Sequence, residues 1–212
     1  KRQLKEKIMD FVGDNIFGMK ITYAVQKEAK GDGDALKYAE PYVNQDKFIM
    51  IACDSLFPTD HLKKIMRDDC DGVMTVCKVD DARRFGVIIK KGSYLKSIIE
   101  KPSSPVSNLA NTGLYVLDKR VFKINLEKSK RGEYEIIDAM TKIAKYDKVR
   151  VIDAKSYWLS IGYPWDLLDA NLFMLRGMDS IIEGFIDTDV TIKGKLCVGK
   201  GTIILNGTYI EG

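Results

Sequence analysis

Apolar positions along the chain follow helical and strand-like periods in turn. Leu4, Ile8, Phe11 and Val12 recur at helical spacing, so a helix is predicted from Lys1 onward. Further helices are predicted at 34–39, 58–66, 133–146 and 164–176, and strands at 20–25, 48–52, 73–79, 85–90, 95–99, 114–117 and 149–152. This alternation predicts an α/β fold with a doubly wound, mostly parallel, Rossmann-like sheet covered by helices on both faces.

The pattern changes near the carboxyl end. Five aliphatic residues recur every six positions, and a second apolar phase lies between them. A six-residue period of β-branched residues is typical of a left-handed parallel β-helix, here only its start, whereas a pair of β-hairpins would not keep five positions in phase. The five positions are Ile186, Ile192, Val198, Ile204 and Ile210. The predicted domains are therefore 1–178 and 179–212.

Composition limits the classes of protein that fit. The 212 residues are 45% hydrophobic and 30% charged, which excludes a disordered chain. The net charge of +4 is too small to indicate nucleic-acid binding. No apolar run reaches the ~18 residues of a membrane span. Four cysteines without Cys-x-x-Cys spacing and no evident signal peptide lead us to expect a cytoplasmic protein that binds neither structural zinc nor a membrane.

Some residues that could carry chemistry lie where predicted strands end. Asp54 follows the strand at 48–52, at the sheet edge where open α/β folds bind ligands, and could hold Mg²⁺ or merely cap a turn. Glu100 and Lys101 end another strand, so alternation predicts that their side chains point to opposite faces. Asn111 enters a strand from a loop, and His61 is expected on a solvated helix face.

A series of short motifs, taken in order, is more specific than any one of them. Its members are YAVQ at 23–26, GDGDAL at 31–36, Asp54, RFGV at 84–87, EKP at 100–102, NTGLYV at 111–116, RGEYEIID at 131–138 and the segment 158–171. This series resembles the sugar-1-phosphate nucleotidylyltransferases, and within them the archaeal-type branch of glucose-1-phosphate thymidylyltransferases and N-acetylglucosamine-1-phosphate uridylyltransferases with a hexapeptide-repeat β-helix.

The resemblance implies a reaction and a set of roles. The family transfers a nucleotidyl group from an NTP to a sugar 1-phosphate and releases pyrophosphate. By resemblance dTTP or UTP and glucose 1-phosphate or N-acetylglucosamine 1-phosphate are favoured, and a homo-oligomer is expected. The implied roles are Asp54 for Mg²⁺, Lys101 for the sugar phosphate, Gln26 and Gly31 for the nucleobase, and Gly86, Glu100 and Asn111 for the sugar, with Lys101 and Asp54 catalytic.

Three departures from the family pattern leave alternatives open. Nothing before Gln26 resembles the glycine-rich phosphate-binding loop, so we expect a fragment that is inactive on its own. Ser160 stands where the family usually has a second Mg²⁺-binding aspartate, and Asp32 stands where it has threonine. These departures keep a non-catalytic regulatory or assembly subunit as an alternative, and mannose-1-phosphate guanylyltransferase as a variant of specificity. Acyl transfer by the β-helix is disfavoured because residues 186–212 contain no histidine.

Overall fold

The chain forms two compact units, Lys1–Trp158 and Leu159–Gly212. The computed structural model describes residues 2–154 and 158–212. The predicted helical start at Lys1 therefore lies outside the described residues, while the helix itself is present from Arg2.

Within its described residues, the first unit holds four α-helices, three short 3₁₀ helices and nine strands. The α-helices are α1 (Arg2–Val12), α2 (Asp32–Lys37), α3 (Thr59–Met66) and α4 (Ile136–Ile143). The strands are β1 (Asn15–Ile16), β2 (Met19–Lys20), β3 (Lys47–Ile51), β4 (Ser55–Leu56), β5 (Gly72–Lys78), β6 (Gly86–Lys91), β7 (Tyr94–Glu100), β8 (Leu109–Asp118) and β9 (Val149–Asp153). The 3₁₀ helices are Glu40–Tyr42, Ala82–Arg84 and Lys119–Lys123.

Six of these strands form one sheet in the order β3-β8-β5-β9-β7-β6. The α/β class is confirmed, but the prediction of a mostly parallel sheet is wrong for the described strands. Of these six, only β5 and β9 pair in parallel, whereas β3 with β8, β5 with β8, β6 with β7 and β7 with β9 are antiparallel. The short connection between β6 and β7 explains part of the error, because such a link allows only an antiparallel hairpin.

Strand β8 has three partners, which divide one of its edges. β5 pairs with it from Leu109 to Val116. β3 pairs with residues 114–118, and β6 pairs with it at Ala110. Because a strand has only two edges, β3 and β6 must share the edge opposite β5. Between them, residues 111–113 pair with neither strand along that edge.

Both faces of the sheet are buried, as the unbroken apolar runs predict. Successive residues of a strand point to opposite faces, so Met74 and Tyr115 pack on the side of α4 with Met140. Val73 and Leu114 pack on the other side against Ile65 of α3, and Ile65 is fully buried. Helices therefore cover the sheet from both sides.

Three local expectations need correction. The strand predicted at 20–25 is limited to β2, since residues 21–26 find no strand partner in the described chain to satisfy their backbone groups. The helix predicted at 133–146 covers only Ile136–Ile143. His61, expected in solvent, is 7% exposed; its Nε2 lies 3.1 Å from Oγ1 of the buried Thr75, and its ring stacks on Phe57.

The second unit consists of one helix and short strands. These are α5 (Asp166–Gly177), β10 (Leu159–Ser160), β11 (Ile181–Ile182), β12 (Phe185–Ile186), β13 (Thr191–Lys193), β14 (Cys197–Val198), β15 (Ile203–Ile204) and β16 (Tyr209–Glu211). β11 pairs with β14, β12 with β15 and β13 with β16, all in parallel. Ile186 aligns with Ile204 and Ile192 with Ile210, so partners are 18 residues apart, three times the six-residue period.

Among the described residues, no helix has both the length and the apolar character that crossing a bilayer requires.

Burial of His61 predicts a pH-dependent stability. Burial lowers the pKa of His61 below its usual value of 6.5. The unfolded chain therefore binds a proton before the folded chain does, and the free energy of unfolding should fall as pH drops below about 6.5, by at most about 1.4 kcal/mol per pH unit. Urea denaturation at pH 7.5, 6.5 and 5.5 measures this. His61→Asn keeps a side chain that can bond to Thr75 but does not titrate, so the slope in this range should shrink; an unchanged slope would contradict this effect of His61.

Candidate active site

Residues 111–113 of β8, which pair with neither β3 nor β6, lie beside the carboxyl end of β3. Ala52, the residue after β3, donates its backbone N–H to the Gly113 carbonyl at 2.9 Å. Asp54 follows two residues later, in the turn before β4. The strand pairing therefore holds Ala52 against Gly113 and places Asp54 two residues beyond this contact, just after a strand end.

Asp54 presents its carboxylate to solvent. Its side chain is exposed, and its Oδ1 lies 3.5 Å from Ser55 Oγ. In the described part of the chain, no lysine or arginine forms an ion pair with Asp54, so its oxygens are available to a cation. A hard oxygen ligand suits Mg²⁺, which is commonly held by one or two carboxylates together with substrate phosphates and water.

A short series of contacts leads from Asp54 to Lys101. Trp158 donates its Nε1–H to Ser55 Oγ at 3.2 Å, and its ring packs edge-on against Phe85 with 5.1 Å between ring centroids. The Phe85 carbonyl in turn accepts the backbone N–H of Lys101 at 3.1 Å. The turn after β3 and the end of β7 are thus joined through one tryptophan and one phenylalanine.

Lys101 has an unusual backbone conformation. Its φ is +40°, a left-handed value that costs a non-glycine residue about 1–2 kcal/mol. This conformation ends the alternation of β7, and Lys101 Nζ lies 3.8 Å from Glu100 Oε1. The prediction that these two side chains point to opposite faces is therefore wrong, because the strand no longer continues at Lys101. Their charged ends lie together.

Gly86, Glu100 and Asn111 meet at the start of β8. Gly86 and Glu100 are paired in the β6–β7 hairpin. A methyl group placed on Gly86 would lie 2.9 Å from Glu100 Oε2 and 3.5 Å from Asn111 Cβ, so the three residues are direct neighbours and a side chain at Gly86 would displace the carboxylate. Asn111 donates from Nδ2 to the hydroxyl of the buried Tyr115 at 2.6 Å, which fixes its amide. The polar side chains of Glu100 and Asn111 therefore both lie next to Gly86.

Arg131 and Glu135 belong to the same cluster, although the sequence patterns gave neither residue a role. Arg131 Nη1 lies 3.3 Å from Glu100 Oε1 and 3.7 Å from Glu135 Oε1. Glu135 is 7% exposed and accepts a hydrogen bond from Ser129 at 2.9 Å. Both residues lie in the RGEYEIID motif, which was a signal that could have identified them, but only the fold shows that this motif reaches Glu100.

The loop before α2 docks on the same motif. Gly31 has φ +110° and ψ 170°, and a side chain there would overlap the Tyr134 carbonyl, so the position requires glycine. Gly33 donates its N–H to that carbonyl at 2.9 Å. Asp32 accepts the N–H of Ile136 at 2.9 Å, at the first residue of α4. The Asp32 carboxylate therefore has a structural partner at a helix N-terminus, where negative charge is favourable.

Gln26 is held against this loop. Its Nε2 donates to the Gly31 carbonyl at 3.1 Å and to Asp34 Oδ2 at 2.7 Å. Gln26 and Gly31, predicted together from sequence, are therefore in direct contact. Ser160 belongs to β10 of the second unit.

Two carboxylates and two cations set the electrostatics of the cluster. Burial raises the pKa of Glu100 above its ordinary 4.5, and the charge of Glu135 raises it further; Lys101 and Arg131 act in the opposite direction. The charge of Asp32, at the start of α2, also raises the pKa of Glu100, although less than burial and Glu135 do. Burial likewise raises the pKa of Tyr115, which remains a neutral hydroxyl.

The chain is similar to known proteins over most of its length. The sequence profile of the nucleotidyl transferase family matches residues 2–177. The bifunctional protein GlmU of Methanococcus aeolicus is 37% identical over 188 residues, which is 87% of this chain and 45% of that protein. The bifunctional sugar-1-phosphate nucleotidylyltransferase/acetyltransferase of Sulfurisphaera tokodaii is 34% identical over 90% of this chain and 48% of its own length. The chain thus spans about half the length of these curated relatives.

A solved structure supports the same relationship. A Bacillus anthracis protein assigned as a glucose-1-phosphate thymidylyltransferase, crystallised with a sucrose, superposes with a TM-score of 0.70 and 30% identity. The match covers 79% of this chain and 71% of that one.

The titration of Glu100 tests the cluster directly. We expect its pKa to lie above the ordinary value for glutamate, and Arg131→Met to raise it further because a nearby positive charge is lost. Arg83→Met is the matched control, since Arg83 pairs with Asp81. A ¹³C NMR titration of the Glu100 carboxyl carbon measures both effects. A normal pKa, or no response to Arg131→Met, would refute this arrangement of charges.

Proposed function

The chain belongs to the nucleotidyl transferase family, and on that premise we propose that it provides the catalytic domain of a sugar-1-phosphate nucleotidylyltransferase. The reaction joins the nucleotidyl group of an NTP to a sugar 1-phosphate. An oxygen of the sugar phosphate attacks the α-phosphorus, the bond from that phosphorus to the bridging oxygen of the β-phosphate breaks, and pyrophosphate leaves. Since both reactants are polyanions, catalysis depends mainly on positioning and on offsetting negative charge.

The observation that carries the proposal is the series of contacts from Asp54 to Lys101 through Ser55, Trp158 and Phe85. A carboxylate suited to a divalent cation and a lysine are held by neighbouring parts of one sheet. Two like unit charges about 4 Å apart, such as those of two phosphate groups, repel by roughly 4 kcal/mol at an effective dielectric of 20. Mg²⁺ and a lysine beside the two phosphates can offset a repulsion of this size.

Lys101 is proposed to hold the phosphate of the sugar 1-phosphate, and Asp54 to bind Mg²⁺. When bound, Mg²⁺ would neutralise phosphate charge and help to orient the NTP. Lys101 can turn from Glu100 toward a phosphate, because its side chain is about half exposed and the 3.8 Å contact with Glu100 is a loose one. The left-handed backbone conformation at Lys101 sets the direction in which its side chain leaves the main chain.

The remaining predicted residues are divided between the two substrates. Gly86, Glu100 and Asn111 are proposed to bind sugar hydroxyls, which a carboxylate, an amide and a backbone group can all contact. Gln26 and Gly31 are proposed to bind the nucleobase. Both sets contact the RGEYEIID segment, because Arg131 contacts Glu100, while Tyr134 and Ile136 contact the loop before α2.

We favour dTTP or UTP as nucleotide and glucose 1-phosphate or N-acetylglucosamine 1-phosphate as acceptor; the Bacillus anthracis relative, assigned as a glucose-1-phosphate thymidylyltransferase, supports the first of each pair. The hydrogen bond from Ile136 to Asp32 weakens one argument for a non-catalytic subunit, because it explains this acidic residue without a loss of nucleotide binding. A single Asp54 ligand in place of a pair is compatible with Mg²⁺ held jointly by substrate.

We also propose that residues 179–212 begin a left-handed parallel β-helix that follows a catalytic domain of 1–178. The parallel pairings at 18-residue spacing support three strands per turn of such a helix, and the family profile ends at residue 177. Ile203 and Tyr209 expose more than half of their surface, which is consistent with further coverage by additional turns or a second copy of the chain in a homo-oligomer.

The activity can be tested by pyrophosphate release from dTTP or UTP with each sugar 1-phosphate, using the full-length protein and Mg²⁺. Lys101→Ala should lower kcat/KM by roughly 100-fold, or about 3 kcal/mol, by analogy with the loss of one transition-state donor. Lys96→Ala is the control, because Lys96 is an exposed lysine on the same strand. Activity of Lys101→Ala within twofold of the parent would remove the proposed role, and no turnover by the folded parent protein would favour the non-catalytic subunit.

A further inference from the structure

The two hydrogen bonds of Gln26 determine which end of its amide is available to a ligand. Both acceptors, the Gly31 carbonyl and the Asp34 carboxylate, can only accept hydrogen bonds. The NH₂ end of the amide must therefore face them, and a flipped amide would place Oε1 against two oxygens. This orientation follows from the chemistry of the partners and does not depend on distinguishing nitrogen from oxygen by position.

Oε1 of Gln26 is the free end. Nε2 has two hydrogens, and both are used, at 3.1 Å and 2.7 Å. Over residues 2–154 and 158–212, no donor bonds to Oε1. The two hydrogen bonds of Nε2 hold Oε1 in a fixed direction. Because Gln26 is half-buried, water has only partial access to its side chain. A ligand that meets it must present an N–H or O–H.

Asp34 is the stronger of the two restraints. Its bond to Nε2 is the shorter one and involves a charged acceptor, and charge-assisted hydrogen bonds are roughly twice as strong as neutral ones. Asp34 lies in α2, whose first residues are docked on Tyr134 and Ile136, so its own position is fixed. The short helix thereby aligns the amide of a residue eight positions earlier.

We infer that Asp34 is a positioning residue that makes Gln26 an acceptor-only reader of the nucleobase, selecting bases with a ring N–H beside a carbonyl. Uracil, thymine and guanine have this group, whereas cytosine and adenine present an unprotonated ring nitrogen there. The inference rests on the proposed function, in which Gln26 contacts the base. It adds the residue that sets the amide and the chemical class of base that the amide accepts.

A nucleotide lacking only the ring N–H provides the sharpest test. The parent protein should bind UTP at least about tenfold more tightly than N3-methyl-UTP, and more tightly than CTP, because an acceptor facing a methyl group or a bare ring nitrogen is left unpaired. Isothermal titration of the full-length protein without sugar phosphate gives these dissociation constants. Asp34→Ala should reduce the preference to within about threefold, since the amide can then rotate.

Two further variants separate positioning from stability. Asp34→Asn keeps an acceptor for Nε2 and should retain most of the preference. Asp32→Ala loses the bond to Ile136 and should lower Tm while leaving the preference unchanged. In addition, the side-chain amide proton shifts of Gln26 should move toward those of a free amide in Asp34→Ala, in the absence of any nucleotide.

Several results would overturn the inference: an undiminished preference in Asp34→Ala, unchanged Gln26 amide shifts, or equal binding of UTP and N3-methyl-UTP by the parent. Failure of the proposed function gives a different result. A parent protein that binds UTP with the expected preference but releases no pyrophosphate with any sugar 1-phosphate would lack the activity and still support this role of Asp34.

Discussion

The gap along β8 between β3 and β6 is the constraint on which the candidate site depends. Since β5 pairs along the opposite edge between Leu109 and Val116, with a register shift between Met74 and Val76, β3 and β6 can pair with β8 only in succession, and residues 111–113 lie between them. The end of β3 carries Asp54 to one side of this gap. The β6–β7 hairpin brings Gly86, Glu100 and Lys101 to the other. Hydrogen bonding of one strand thus assembles residues from four separate stretches of sequence.

The charges around this gap are arranged close to balance. Lys101 and Arg131 lie near Glu100 and Glu135 and offset part of the negative charge of these two carboxylates. An incoming phosphate would compete with the carboxylates for the two cations. Burial and the charge of Glu135 raise the pKa of Glu100 by more than Lys101 and Arg131 lower it. Under the proposed function, these two cations are the groups that would offset the charge of the anionic substrates.

Sequence patterns predicted much of this and missed specific parts. Long apolar runs located β3, β5, β7 and β9, because buried strands need continuous hydrophobic residues. Strand direction was not predictable, since period alone does not distinguish parallel from antiparallel pairing. Alternation failed at Lys101, where one positive φ ends the strand. His61 was misplaced because a polar residue with a buried partner, here Thr75, looks the same in sequence as a solvated one. The grouping of Arg131 with Glu100 depends on contacts across 31 residues that no local pattern contains.

The central claim, that Asp54 and Lys101 flank one site, can be measured without turnover. Mn²⁺ added to isotopically labelled full-length protein should broaden the amide signals of Ser55, Phe85 and Lys101 through paramagnetic relaxation, and Asp54→Asn should abolish this effect. Asp68, Asp69 and Cys70 provide an internal comparison, because their possible metal-ligand atoms lie within 4.8 Å of one another. Broadening centred on Asp54 that reaches Lys101 is the predicted result. Broadening confined to residues 68–70, or centred on Asp54 without reaching Lys101, would contradict it.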